Sequence, residues 1–143
     1  MIISTMTALA ALAAHPEFEK LGEPSFNGNR LPFAEAARIG NTLYLSGQIG
    51  NRPDGTLPES FEGQSRQVMD NIGAILAKNG LDFSHVAKCT VMIDDMAQWP
   101  AFNAIYVTYF KDGMYPARSA FGADGLALGA MIEVECIAYV PSE

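Results

Sequence analysis

Apolar and polar residues alternate without a break from residue 132 to residue 139. Ile132, Val134, Cys136 and Ala138 fall on one face, and Glu133, Glu135, Ile137 and Tyr139 fall on the other. This predicts a strand whose first face is entirely core. Two further strands, 35–39 and 42–46, flank Gly40-Asn41, a pair that tolerates positive φ and therefore predicts a tight hairpin. From Phe61 the period changes to that of a helix. Phe61, Ser65, Val68, Met69, Ile72, Ile75 and Leu76 line one side, Ser60 is placed to cap the start and Gly80 to stop the end. A strand at 86–93 follows, with Asp94-Asp95 as turn and cap. A second helix is expected from about residue 100 to residue 110, where Pro100 suits the first turn and Phe102, Tyr106, Tyr109 and Phe110 form the apolar stripe. Residues 15–32, with Gly22, Pro24, Gly28 and Pro32, read as an irregular lead-in. The order ββαβαββ predicts an α+β domain, a single sheet with both helices on one face.

The last two strands raise the question of chemistry. If 117–122 and 132–138 form a hairpin closed by 123–130, a register centred near Gly125 and Leu126 sets Arg118 directly across from Glu133. Such a pair is either a structural salt bridge, or a site in which the arginine grips a substrate carboxylate while the glutamate moves protons. The face that carries Arg118, Glu133 and Glu135 also carries Ile137 and Tyr139. It is too apolar for water and too charged for a core, which points to contact between subunits and clefts at their seams. The loop 47–59, marked by Gly50, Asn51, Pro53, Asp54 and Gly55, is long enough to serve a ligand.

Composition narrows the partners. The chain has 143 residues, enough for one domain that buries roughly two thirds of its unfolded surface. Its formal charge of -7 leaves no basic field for phosphates, so nucleic acid is not an expected partner. Cys89 and Cys136 lie in apolar strands and read as buried small hydrophobes rather than as a disulfide. His15 and His85 stand apart from other ligand types, so no metal site is expected. No stretch is long and apolar enough to predict a membrane span. Residues 1–14 are Ala-rich and end Ala11-Leu12-Ala13-Ala14, similar to a secretory cleavage site but without a basic start. The expectation is a cytoplasmic protein, exported or periplasmic if 1–14 act as a signal. The division expected is a lead-in, 1–30, and a domain, 31–143.

Five segments resemble the RidA/YjgF/L-PSP family, in the family's order. They are Leu31-Pro32-Phe33 with the Gly40-Asn41 hairpin, Leu45-Ser46-Gly47-Gln48-Ile49, Phe102-Asn103-Ala104-Ile105-Tyr106, Pro116-Ala117-Arg118-Ser119, and Ile132-Glu133-Val134-Glu135-Cys136-Ile137-Ala138. The resemblance implies a chorismate-mutase-like fold, a homotrimer with three clefts between subunits, and cofactor-free hydrolysis of reactive enamines and imines to 2-oxoacids and ammonia. By position it implies that Arg118 binds the substrate carboxylate and that Glu133 activates water and returns a proton to the leaving nitrogen. Gly47 and Ala120 would offer backbone hydrogen bonds, Ser46 and Asn103 would shape the site, and Phe33 would wall it. Phe33 stands where many members have tyrosine, Ala120 where cysteine is common, and Leu126-Ala127-Leu128 lacks the usual proline, all of which bears on substrate identity. Phe33 and Ala120, and the fact that a fold does not fix a function, leave a non-catalytic ligand-binding or chaperone-like trimer as the alternative, and the resemblance also implies an endoribonuclease or translation inhibitor as a further one. A different enamine, such as a ring-opened pyrimidine or an aminomuconate-type intermediate, is a further enzymatic option.

Overall fold

The computed structural model describes residues 17–142. Seven strands build one sheet and two helices cover one of its faces. The strands are β1 (Phe18–Leu21), β4 (Ala36–Ile39), β5 (Thr42–Leu45), β6 (Gln48–Ile49), β7 (Val86–Ile93), β8 (Ala117–Gly122) and β9 (Ile132–Tyr139); β2 (Ser25–Phe26) and β3 (Asn29–Arg30) make a separate small hairpin. The order across the sheet is β1-β4-β5-β9-β7-β8, and β6 pairs with β9 beyond the end of β5. The α+β class and the two helices agree with the sequence pattern.

Helix α1 (Phe61–Lys78) begins where Ser60 accepts a hydrogen bond from the Gly63 amide, and Gly80 follows its end at φ +71°. Its apolar stripe packs on the inner faces of β7 and β9, where Val91, Ile93, Ile132 and Val134 are fully buried. Gln64 is buried in the same helix and is satisfied at both ends: its amide donates to the Pro58 carbonyl at 2.9 Å, and its oxygen accepts from the Met131 amide at 2.8 Å. Gly50 lies so close to the Gln64 backbone that any side chain there would collide with it. Helix α2 (Trp99–Tyr106) carries Pro100 in its first turn and continues into a 3-10 turn, Val107–Tyr109, so the helical stretch ends close to the expected limit.

Three expectations are corrected. Residues 18–21 are an edge strand rather than irregular chain, pairing antiparallel with β4 in the register Lys20↔Ala37. Glu19 and Lys20 hide the alternation, and charged residues are what an exposed edge tolerates. Next, β8 and β9 do not form a hairpin. Strand β7 lies between them, parallel to β8 and antiparallel to β9. The core needs a strand with a fully apolar face at its centre, and β7 supplies Val86, Cys89, Val91 and Ile93, whereas β8 offers only Arg118 and Ala120 on that face and belongs at the edge. Finally, Cys89 and Cys136 are not separate thiols. They are register partners on neighbouring strands, with Cα atoms 4.1 Å apart, and they are joined as a disulfide. Alternation shows that both point inward; only the register shows that they meet. The signal-like segment 1–14 lies outside the described residues.

Candidate functional site

Register decides which side of the sheet each site residue faces. Arg118 is level with Cys89, and Cys89 is level with Cys136, which is buried against the helices. Arg118 therefore faces the helical side. Glu133 lies three residues from Cys136 and faces the other side. The two charges stand on opposite faces, on strands two spacings, about 9–10 Å, apart, and are offset by three residues along the strands. The expected cross-strand pair between Arg118 and Glu133 does not exist within one chain. The predicted site residues instead fall into two groups.

The first group surrounds Arg118. Its guanidinium carbon lies 4.4 Å from the centre of the Trp99 ring and 4.6 Å from that of Tyr106. Both rings come from α2, and Asn103 lies between them at spacing i, i+4, i+7, which is one stripe of a helix. Ala120 is two residues along β8 on the same side, level with Val91. Among the described residues Arg118 has no carboxylate within salt-bridge distance. Two buried polar atoms of the stripe, Asn103 Oδ1 and Tyr106 Oη, have no hydrogen-bond partner among the described residues. Burial pushes the Tyr106 phenol up to about 12 despite the opposing pull of Arg118, so it is neutral over the physiological range.

The second group surrounds Glu133. A methyl group placed on Gly47 would collide with the Glu133 carboxylate, so any side chain there would force that carboxylate to move. Ser46 is fixed by its own bonds: its hydroxyl donates to the Ala34 carbonyl at 2.6 Å and its amide to the Glu35 carbonyl at 3.0 Å. An open cavity of about 930 Å³ is lined by Phe33, Ser46, Gly47 and Glu135 together with Lys20 and Arg30. Glu133 is half-buried, and its carboxyl is held above the ordinary range, first by loss of water and then by the neighbouring charge of Glu135. A carboxylate tuned upward is better matched to proton transfer near neutrality.

Residues 28–140 match the family model described as endoribonuclease L-PSP. The chain belongs to the RidA/YjgF/L-PSP family. Within it, the chain is 41% identical over 109 residues to the chloroplastic Reactive Intermediate Deaminase A of Arabidopsis thaliana, covering 75% of this chain and 58% of the plant protein. It is 38% identical over 109 residues to the 2-iminobutanoate/2-iminopropanoate deaminase of Mus musculus, covering 75% of this chain and 80% of the mouse protein. The crystal structure of YyfA from Yersinia pestis, a Rid-family protein of unknown function, superposes with a TM-score of 0.78 at 36% identity, over 87% of this chain and all of that one. Relatives named as imine deaminases are thus similar over most of the described RidA-like segment.

The sequence placed all the candidate residues in one site, whereas the structure divides them: Phe33, Ser46 and Gly47 line one cavity with Glu133 against Gly47, and Arg118, Asn103 and Ala120 belong to the other group. The sequence did not single out Trp99, Tyr106 or Glu135. The helical spacing 99, 103, 106 was the available signal for the first two, and the alternation in β9 was the signal for the third. No helix among the described residues is long and apolar enough to cross a membrane, and none of their side chains cluster as metal ligands.

Proposed function

We propose that the chain is a cofactor-free hydrolase of 2-imino and enamino acids, and that its sites are shared between copies in a homotrimer. The observation that carries this reading is the separation of Arg118 from Glu133 onto opposite faces, which leaves each half without the other's chemistry. The uncovered sheet face supports association, because Tyr44 and Tyr139, 45% and 53% exposed, stand beside Ile137 on it. A cyclic trimer would set the Arg118 edge of one copy against the Glu133 face of the next.

In such a cleft the guanidinium of Arg118 holds the substrate carboxylate through two parallel hydrogen bonds. Glu133 takes a proton from water as the oxygen attacks the imine carbon. The resulting carbinolamine carries its nitrogen beside the same carboxyl, which returns the proton. The C–N bond breaks as the C=O bond forms and the hydroxyl proton is lost to water, ammonia leaves and the 2-oxoacid remains, so that protonated imine plus water balances oxoacid, ammonia and a proton. Protonated imines are already electrophilic, and positioning plus one acid-base group suffices. Gly47 and Ala120 supply backbone donors, Ser46 and Asn103 shape the cleft, and Phe33 forms a wall without the hydroxyl that tyrosine would bring.

The Cys89–Cys136 disulfide favours an oxidising compartment over the cytosol, where such bonds are normally kept reduced. The acidic charge of -7 weighs against RNA as substrate. The activity is tested by ammonia and 2-oxoacid release from imines generated in situ by an amino-acid oxidase. Acceleration by wild type, lost in Arg118→Ala and Glu133→Gln with the trimer intact, is the expected result. A folded trimer that leaves the spontaneous rate unchanged would overturn the reading.

A further inference from the structure

We infer that Trp99 and Tyr106 are positioning residues that clamp the Arg118 guanidinium between their rings and fix the plane in which it presents its hydrogen bonds to a substrate carboxylate. This rests on the proposed role of Arg118. An arginine at the edge of a sheet has several rotatable bonds and, left in water, samples many orientations. Here the guanidinium carbon is within 4.6 Å of both ring centres, and the rings are one helical stripe apart on α2. Stacked on a ring face, the planar cation keeps its edge N–H groups free, because the attraction is to the face of the aromatic system.

The clamp is itself held rigid. Phe102 is fully buried behind it, with ring centres 6.1 Å from Trp99 and 5.4 Å from Tyr106, and Phe110 packs on Tyr106 at 4.8 Å. A structural arginine would normally be anchored by a carboxylate, and none reaches Arg118 among the described residues. Aromatic rings orient the cation without neutralising it, so its capacity for an incoming anion is kept. Asn103, between the rings on the same stripe, adds a buried oxygen without a partner among the described residues, suited to an N–H of the ligand.

Trp99 is the chain's single tryptophan, so its emission reports directly on this clamp. Loosening the orientation of an arginine that stays in place weakens its hold on the carboxylate in ground and transition states alike, which raises KM more than it lowers kcat. Trp99→Ala is expected to raise KM for the imino acid about tenfold with kcat changed less than about threefold, and Trp99→Phe, which keeps a ring, to restore KM to within about twofold. Titration with 2-oxobutanoate is expected to change tryptophan emission in wild type and not in Arg118→Met. An unchanged KM in folded Trp99→Ala, or an emission change that persists in Arg118→Met, would overturn the clamp. Should Trp99→Ala fail to fold, the emission comparison decides alone. Emission that responds through Arg118 without any imine hydrolysis would retain the clamp and overturn the deaminase reading. Hydrolysis with KM indifferent to Trp99 would do the reverse.

Discussion

Arg118 and Glu133 stand on opposite faces of one sheet, with β7 between their strands. Within a single chain, the half proposed to bind the carboxylate and the half proposed to transfer protons therefore lie on opposite sides of the sheet. Stacking a second copy against the uncovered face is the simplest way to join them, and the predictions below follow from the local physics of each half.

The first concerns pH. Glu133 acts as a base only when ionised, and burial followed by the charge of Glu135 holds its carboxyl above the usual value of 4.5. The acid limb of the kcat/KM profile is thus expected above pH 4.5. Glu135→Gln removes the second cause and moves the limb toward lower pH, while the larger burial effect keeps it above the ordinary value. A limb that stays in place in Glu135→Gln, or moves upward, would contradict this.

The same shift has a stability counterpart. A carboxyl whose folded pKa exceeds its unfolded one stabilises the fold fully below the unfolded pKa, and that contribution is lost as pH rises through the folded pKa. Glu133→Gln cannot ionise, so its melting temperature is expected to exceed that of wild type at neutral pH. The gap should close as pH falls below 4.5, the ordinary value for the group. Paired melts across pH, with the oligomeric state held constant, check this.

Gly47 tests how closely the Glu133 carboxylate is placed. A methyl group there meets the carboxylate directly. Gly47→Ala is expected to displace Glu133 and lower kcat by about a hundredfold, the scale of a misplacement of about 1 Å in a catalytic group. Gel filtration and circular dichroism should match wild type. Undiminished turnover in Gly47→Ala would remove Glu133 from the reaction.

The disulfide makes a chemical prediction. Unfolded without reductant and treated with iodoacetamide, the purified protein should take up no label; after reduction it should take up two, on Cys89 and Cys136. Because the bond closes a separation of 47 residues, reduction should lower stability by roughly 2–4 kcal/mol, seen as a lower urea midpoint. Two labels without reductant would place both cysteines as thiols and remove the argument for an oxidising compartment.

The parts of this fold that rest on one segment's own pattern were legible in the sequence. The α1 stripe, its Ser60 cap and Gly80 stop, the Gly40-Asn41 hairpin and the strict alternation of β9 all follow from local periodicity and turn chemistry. What required the whole fold was strand partnership. Nothing local in Ala117–Gly122 says that it prefers β7 across a helix to β9 across a short loop, and the edge position of β1 is masked by Glu19 and Lys20. From that one pairing error followed the supposed contact of Arg118 with Glu133. The resemblance supplied the candidate residues, and only the register distributed them over two faces. The aromatic stripe Trp99, Asn103, Tyr106 was visible as spacing but reads as core until Arg118 is seen to lie on it.

The most direct test of a site shared between copies is to mix two inactive variants, Arg118→Ala and Glu133→Gln, after dissociating and reassembling them together. In a cyclic trimer every mixed assembly contains one site with both residues intact. Random 1:1 mixing should therefore recover about a quarter of wild-type imine hydrolysis from two preparations that have none alone. Recovery near that level would establish that Arg118 of one copy works with Glu133 of its neighbour. No recovery, from mixed trimers confirmed by mass, would contradict it and require both residues to act within one chain.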